Sequence, residues 1–136
     1  MIWLLDTNTV AYLVNQAPGV ERIKRRLSGR SPGEVRLSAI SLSELHYGLA
    51  RGDVSVQRRE ALDELLALFE LEDYPAAAGR DFGEIRVALE RAGKRIGPYD
   101  LLIAAHARHL GAVLVTSDER EFRRVPGLRV QNWLKP

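Results

Sequence analysis

Apolar positions along the chain alternate between short continuous runs and longer stretches in which they recur every three or four residues. Residues 2–5 (IWLL) form a run of strand length, and residues 8–15 carry a helical pattern that Pro18 interrupts. Residues 19–27 (GVERIKRRL) place Val20, Ile23 and Leu27 on one helical face, with Arg22, Lys24, Arg25 and Arg26 around the rest. A turn at 28–33 (SGRSPG) leads to residues 35–38 (VRLS), which alternate as a strand does. Ser41-Leu42-Ser43-Glu44 has the form of a capping box opening a helix that runs to about Ala50. Arg51-Gly52-Asp53 marks a stop, after which Ala61, Leu62, Leu65, Leu66 and Phe69 recur at helical spacing through 56–69.

In the second half a short strand is expected at 71–74, ended by Pro75, and a helix over 76–92, closed by Gly93. A mostly apolar helix follows over 99–110, closed by Gly111, then a near-continuous apolar strand at 112–116, a short helix at 119–123 and a last strand at 129–131. Strands separated by helices imply βαβ units and a parallel sheet covered on both faces, so the fold class is α/β. No repeat or low-complexity linker divides the chain, and residues 1–136 read as a single domain. In such sheets ligands bind outside the carboxyl ends of the strands.

Composition adds exclusions rather than a function. With 46% hydrophobic and 28% charged residues the chain is ordinary for a globular protein. No apolar run reaches the roughly 20 residues of a membrane span, and no secretory leader is recognisable, so a cytoplasmic protein without a membrane role is expected. The absence of cysteine excludes disulfides and thiolate metal sites. Net charge is only +2, but arginines far outnumber Lys24, Lys94 and Lys135, a balance that leans toward phosphate recognition or a salt-bridged surface.

Acidic residues change the picture. Asp6 ends the first strand and Asp118 follows the strand near Val115, so both lie on the sheet edge where sites form. Glu44 and Asp100 fall in the first turns of the helices after the second strand and near Tyr99, facing the same crevice. Each has a structural explanation: Asp6 as a helix cap, Glu44 as the partner of Ser41, Asp100 as a complement to its helix dipole, Asp118 as a turn residue. As a set they repel one another unless a cation lies between them. With only oxygen ligands on offer, Mg²⁺ or Mn²⁺ is the expected cofactor, and such ions support phosphodiester cleavage by water. Asn8, Ser43 and Thr116 stand beside these carboxylates and can orient them, or can be merely structural. His46, His106 and His109 lack ligand spacing and read as helix surface or core.

Four ordered segments, LLDTNTVAYLV at 4–14, SAISLSELHYGLARG at 38–52, GPYDLLIAAHARHLGAVLVTSDEREFRRVPGL at 97–128 and VQNW at 130–133, resemble the PIN-domain nucleases, and among them the VapC-type toxins of toxin–antitoxin pairs. The resemblance covers essentially the whole chain. It implies a PIN-domain α/β/α sandwich with a central, mostly parallel sheet and a metal-dependent endoribonuclease. By motif position it assigns Asp6, Glu44, Asp100 and Asp118 to the catalytic and metal-binding set, with Asn8 and Thr116 in supporting positions. Ser117-Asp118 stands where many relatives carry Asn-Asn, and Tyr99 stands where a small polar residue is frequent. As partners it implies RNA and a VapB-type antitoxin that blocks the site, with a homodimer that forms a heterotetramer or larger assembly with the antitoxin. Leu45, Leu49, Leu62, Leu65, Leu66 and Phe69 offer apolar surface for such contacts, or are core. Arg91, Lys94, Arg95 and Arg120 are placed to hold RNA phosphates, and Glu121 either supplements the acidic set or pairs with an arginine.

Two other readings fit parts of the sequence. Asp6-Thr7 after a strand also suits a phosphohydrolase with an aspartyl nucleophile, but Asn8 replaces the second aspartate of that motif and no lysine follows a later strand at a suitable place. A non-catalytic module that keeps the fold and only binds RNA or protein is opposed by the intact acidic set.

Overall fold

The computed structural model describes residues 1–52 and 54–136. Asp53, part of the stop expected at 51–53, lies outside the described residues.

Five strands, β1 (Trp3–Leu5), β2 (Val35–Ser38), β3 (Glu70–Glu72), β4 (Val113–Val115) and β5 (Arg129–Gln131), form one sheet in the order β3-β2-β1-β4-β5. Every pairing is parallel. β1 is central: Leu5 pairs with Leu37 on one side and Val115 on the other. The residues that follow, Asp6, Ser38 and Thr116, therefore emerge at one level along the carboxyl edge. The strand order reverses between β1 and β4, and at such a switch point the neighbouring connections diverge to opposite faces and leave a crevice.

Alternation along β1 divides the core. Leu4, with Leu114, packs against Ile85 and Leu89 of α5 (Ala78–Arg91), Ile103 of α6 (Pro98–Leu110) and Phe122 of α7 (Glu119–Phe122). Leu5, with Leu37 and Val115, packs against Val10 and Leu13 of α1 (Thr7–Asn15), Ile23 of α2 (Val20–Leu27) and Leu62 of α4 (Val56–Leu66). Fully burying each such side chain contributes roughly 1.5–3 kcal/mol, and doing so on both faces makes the α/β/α sandwich that the alternating elements predict. Arg108 ties α6 to α5, its Nε donating to Asp81 at 2.8 Å and its terminal nitrogen to Glu84. Gly111 caps α6 at φ +66°, a left-handed conformation that favours glycine. Away from the carboxyl edge, the Arg30 guanidinium lies 3.9 Å from the Trp3 ring centre and 5.0 Å from that of Trp133.

One local expectation fails. α3 (Ala39–Arg51) begins three residues earlier than the capping-box reading places it. β2 runs straight into α3 without a loop, so Ser38, the last strand residue, is the cap, its Oγ accepting from the Ile40 N–H at 3.1 Å. Ser41 is buried within the helix and Glu44 lies in the second turn, free to bond elsewhere. β3 covers 70–72 rather than 71–74, and Phe69 is buried in the turn before it. Leu62 is fully buried, while Leu45, Leu49, Leu65 and Leu66 pack half-buried against the same core. No helix among the described residues is long and apolar enough to cross a membrane.

Candidate active site

Asp6 is the fixed point of the carboxyl edge. Only 4% exposed, it caps α1, its Oδ1 accepting from the Thr9 N–H at 2.8 Å, while its own N–H donates to the Val115 carbonyl at 3.0 Å. The Thr9 hydroxyl donates to that same carbonyl at 3.2 Å, so α1 and β4 are stitched together beneath the carboxylate. Burial raises the proton affinity of Asp6, hydrogen bonding from Thr116 and Thr9 opposes the rise, and the nearby Asp100 charge adds to it. Helix capping and exposure to a second carboxylate are thus both properties of this one residue.

Asp100 enters from the first turn of α6, which starts at Pro98 with Gly97 as its cap. Burial raises its proton affinity and the Asp118 charge raises it further, against a hydrogen bond from Glu121. Asp118 caps α7, accepting from the Glu121 N–H at 3.3 Å, and its own N–H donates to Thr116 Oγ1 at 2.9 Å. The Thr116 side chain, 1% exposed, therefore links Asp6 to Asp118. Glu121 completes the group. Burial, together with its closeness to Asp118 and Asp100, pushes its carboxyl up to about 7. Of the two roles open to Glu121 in the sequence, the structure gives it the carboxylate cluster.

Glu44 stands to one side, its Oε1 accepting from the Thr7 hydroxyl at 2.7 Å, so it reaches the Asp6 loop through Thr7. Thr7 is the residue that sequence reasoning missed; its signal was the hydroxyl directly after Asp6. Asn8 is exposed beside it and lines a groove with Glu44. The Ser43 hydroxyl bonds back to the Ala39 carbonyl at 3.0 Å, which holds it on its own helix. Arg91 and Lys94 are exposed at the end of α5, Arg95 lies 3.8 Å from Glu90, and Arg120 is exposed on α7 beside the cluster. The histidines keep to structural places: His46 exposed, His106 buried against Ser38, His109 3.2 Å from Asp81.

Among the described residues no three acidic or histidine side chains stand in a ready-made coordination arrangement. The chemistry of the donors nevertheless fits a hard divalent cation. Asp100 carries like-charge repulsion from Asp118 and imposes it on Asp6, and Glu121 holds a proton near neutrality, strains that a cation among these oxygens would relieve. Asp6, Asp100 and Asp118, with Glu121 beside them and Glu44 to one side, would be the residues to hold such an ion.

A parallel sheet whose switch point is lined by carboxylates matches a known class. Residues 3–128 match the family model described as "PIN domain". The chain is 38% identical over 135 residues to "Ribonuclease VapC2" of Rickettsia felis, covering 99% of this chain and 100% of the relative. It is 34% identical over 131 residues to "tRNA(fMet)-specific endonuclease VapC" of Shigella flexneri, covering 96% and 97%. A chain in the crystal structure of VapBC2 from Rickettsia felis bound to a DNA fragment from their promoter superimposes with a TM-score of 0.88 at 37% identity, over 98% of this chain and 99% of that one. The chain belongs to the PIN-domain family.

Proposed function

We propose that this protein is a metal-dependent endoribonuclease of the VapC type, the toxin of a toxin–antitoxin pair. The observation that carries the reading is the meeting of Asp6, Asp100, Asp118 and Glu121 at the β1/β4 switch point, each held by backbone or threonine contacts or by its carboxylate neighbours. Support also comes from the relatives named as ribonucleases across nearly the full chain. Mg²⁺ or Mn²⁺ held by these carboxylates would supply activation of a water nucleophile and neutralisation of phosphate charge. The chain's own contribution is placement. The Thr9 N–H and Thr116 fix the Asp6 carboxylate, the Thr7 hydroxyl fixes Glu44, and Glu121 shares side-chain hydrogen bonds with Asp100 and Asp118. Arg120, exposed on α7 between Asp118 and Glu121, with Arg91 and Lys94, exposed at the end of α5, engage RNA phosphates.

The partner is a VapB-type antitoxin, supported by the VapBC complex to which the fold is similar, and the working assembly is a homodimer joined by antitoxin into a heterotetramer or larger form. The cytoplasm, where both RNA and antitoxin are met, is the place of action. The test is cleavage of cellular RNA by purified full-length protein freed of antitoxin, with Mg²⁺, with Mn²⁺ and with chelator. Cutting that needs the metal and is lost in Asp6→Asn and Asp100→Asn is expected; no cutting by the wild type, or equal cutting by Asp6→Asn, overturns the reading.

A further inference from the structure

Two aromatic rings stand in solvent near carboxylates of the site. Tyr47 is 64% exposed and Tyr99 60% exposed, and every other aromatic side chain among the described residues is buried or half-buried. They come from different helices, α3 and α6, yet both line one groove of about 1130 Å³ that also takes in Thr7 and Glu44. Tyr99 directly precedes Asp100, and Tyr47 lies one helical turn beyond Glu44. Each exposed ring is thus tethered beside a carboxylate of the site.

Charge on the groove decides what the rings face. Arg51 and Arg58 line it, and the Arg51 guanidinium lies 5.7 Å from the centre of the Tyr47 ring. Both guanidinium groups thus stand on the wall of the groove that the rings line, where they present positive charge to an incoming anion. Flat rings with interleaved guanidinium groups form the surface that single-stranded nucleic acid uses, the bases stacking on the rings and the phosphates meeting the cations. A duplex offers no free base face to such rings.

We propose that Tyr47 and Tyr99 are the stacking surfaces that hold unpaired RNA bases beside the scissile bond, with Arg51 and Arg58 on the adjoining phosphates. They are positioning residues that select unpaired substrate. This rests on the nuclease reading above, and one experiment separates the two. Full-length wild type, Tyr47→Ala, Tyr99→Ala and the matching Phe variants are assayed with Mg²⁺ on RNA hairpins cut in the loop and carrying 2-aminopurine beside the cut. Binding is followed by quenching of that base in chelator. The alanine variants are expected to raise KM roughly tenfold or more, the range that loss of a base stack gives, with kcat little changed and quenching reduced. The Phe variants, which keep the ring, are expected to match the wild type. Melting temperatures should not move, since both rings are exposed.

Wild type that cuts no RNA overturns both readings. Wild type that cuts while the alanine variants equal it in KM and quenching overturns the stacking proposal alone. So does unchanged RNA cleavage with weakened binding of a partner protein or of a second copy, which makes the rings protein contacts.

Discussion

Ser38 Oγ lies 2.8 Å from His106 Nδ1 in the interior, between the cap of α3 and the middle of α6. Ser38 accepts from the Ile40 N–H, so its own proton is available to the imidazole, which burial keeps neutral against the pull of Glu72. His106 is fully buried, with the Tyr74 ring edge-on at 5.5 Å. The bond joins the two helices that deliver Glu44 and Asp100, at a level just below the site.

Ser38→Ala removes a helix cap, about 0.5–2 kcal/mol, and leaves a buried imidazole nitrogen without its partner, about 1–3 kcal/mol more. A loss of roughly 2–4 kcal/mol in urea denaturation is expected. Ser41→Ala is the contrast. Its buried hydroxyl has no partner, so the change should be within about 1 kcal/mol of neutral. If the two serines behaved alike, Ser38 would not be the cap.

Metal addition should stabilise the fold through the carboxylates. Anything that binds only the native state adds RT ln(1 + [L]/Kd), about 2.7 kcal/mol at a hundredfold excess over Kd, which moves Tm by several degrees in a domain of this size. Mg²⁺ or Mn²⁺ is expected to raise the Tm of the wild type and to do so far less in Asp100→Asn. A Tm indifferent to the cation in the wild type would count against the metal site whatever the enzyme assay showed.

Supporting residues should separate from ligands in scale. Thr116→Val removes the link between Asp6 and Asp118, and Thr7→Val releases Glu44. Losing such a hydrogen bond behind a metal ligand costs roughly 10–100-fold in metal affinity or activity. Asp6→Asn and Asp100→Asn are expected to lose more. Cleavage rates measured against Mg²⁺ concentration distinguish the two groups.

Acid should loosen the α5/α6 layer. Burial raises the proton affinity of Asp81, but the bonds and charges of Arg108 and His109 outweigh it and hold the carboxyl below its ordinary value. For a depressed carboxylate the stabilisation is present above the unfolded value, near 4, and is lost as pH falls through the folded one. Asp81→Asn should therefore cost on the order of 1 kcal/mol at pH 7. The gap to wild type should close below pH 4 in denaturation midpoints read across pH.

The sequence carries only two tryptophans, Trp3 and Trp133, and Arg30 lies over both. Intrinsic fluorescence therefore reports this one cluster. Arg30→Ala is expected to change the emission and to lower stability by about 1 kcal/mol; unchanged emission would remove Arg30 from the stack.

Much of this architecture is legible in the chain because local patterns and tertiary demands agree. Leu4 and Leu5 face opposite layers, as a strand buried on both sides requires, and Gly111 and Pro98 mark the ends of α6. The acidic residues could be set on one edge because the register of parallel strands follows from their ends. The capping box failed because Ser41-x-x-Glu44 satisfies a local rule that β2 running directly into α3 overrides. Glu121 and Thr7 remained ambiguous or unseen for a related reason: their partners, Asp100 and Glu44, lie far along the chain and are met only through the sheet. The same holds for the pairing of Tyr47 with Tyr99 across one groove.

The central position of β1 sets an order of events during synthesis. Its first neighbour, β2, follows within about thirty residues, but the Thr9 bond to Val115 spans 106 positions. Asp6 leaves the ribosome early and can cap α1 at once, but its backbone bond to Val115 and the neighbouring Asp118 and Glu121 come only with β4 and α7. A truncated product that stops before β4 therefore carries the first carboxylate without the Val115 carbonyl that accepts from the Asp6 N–H and the Thr9 hydroxyl.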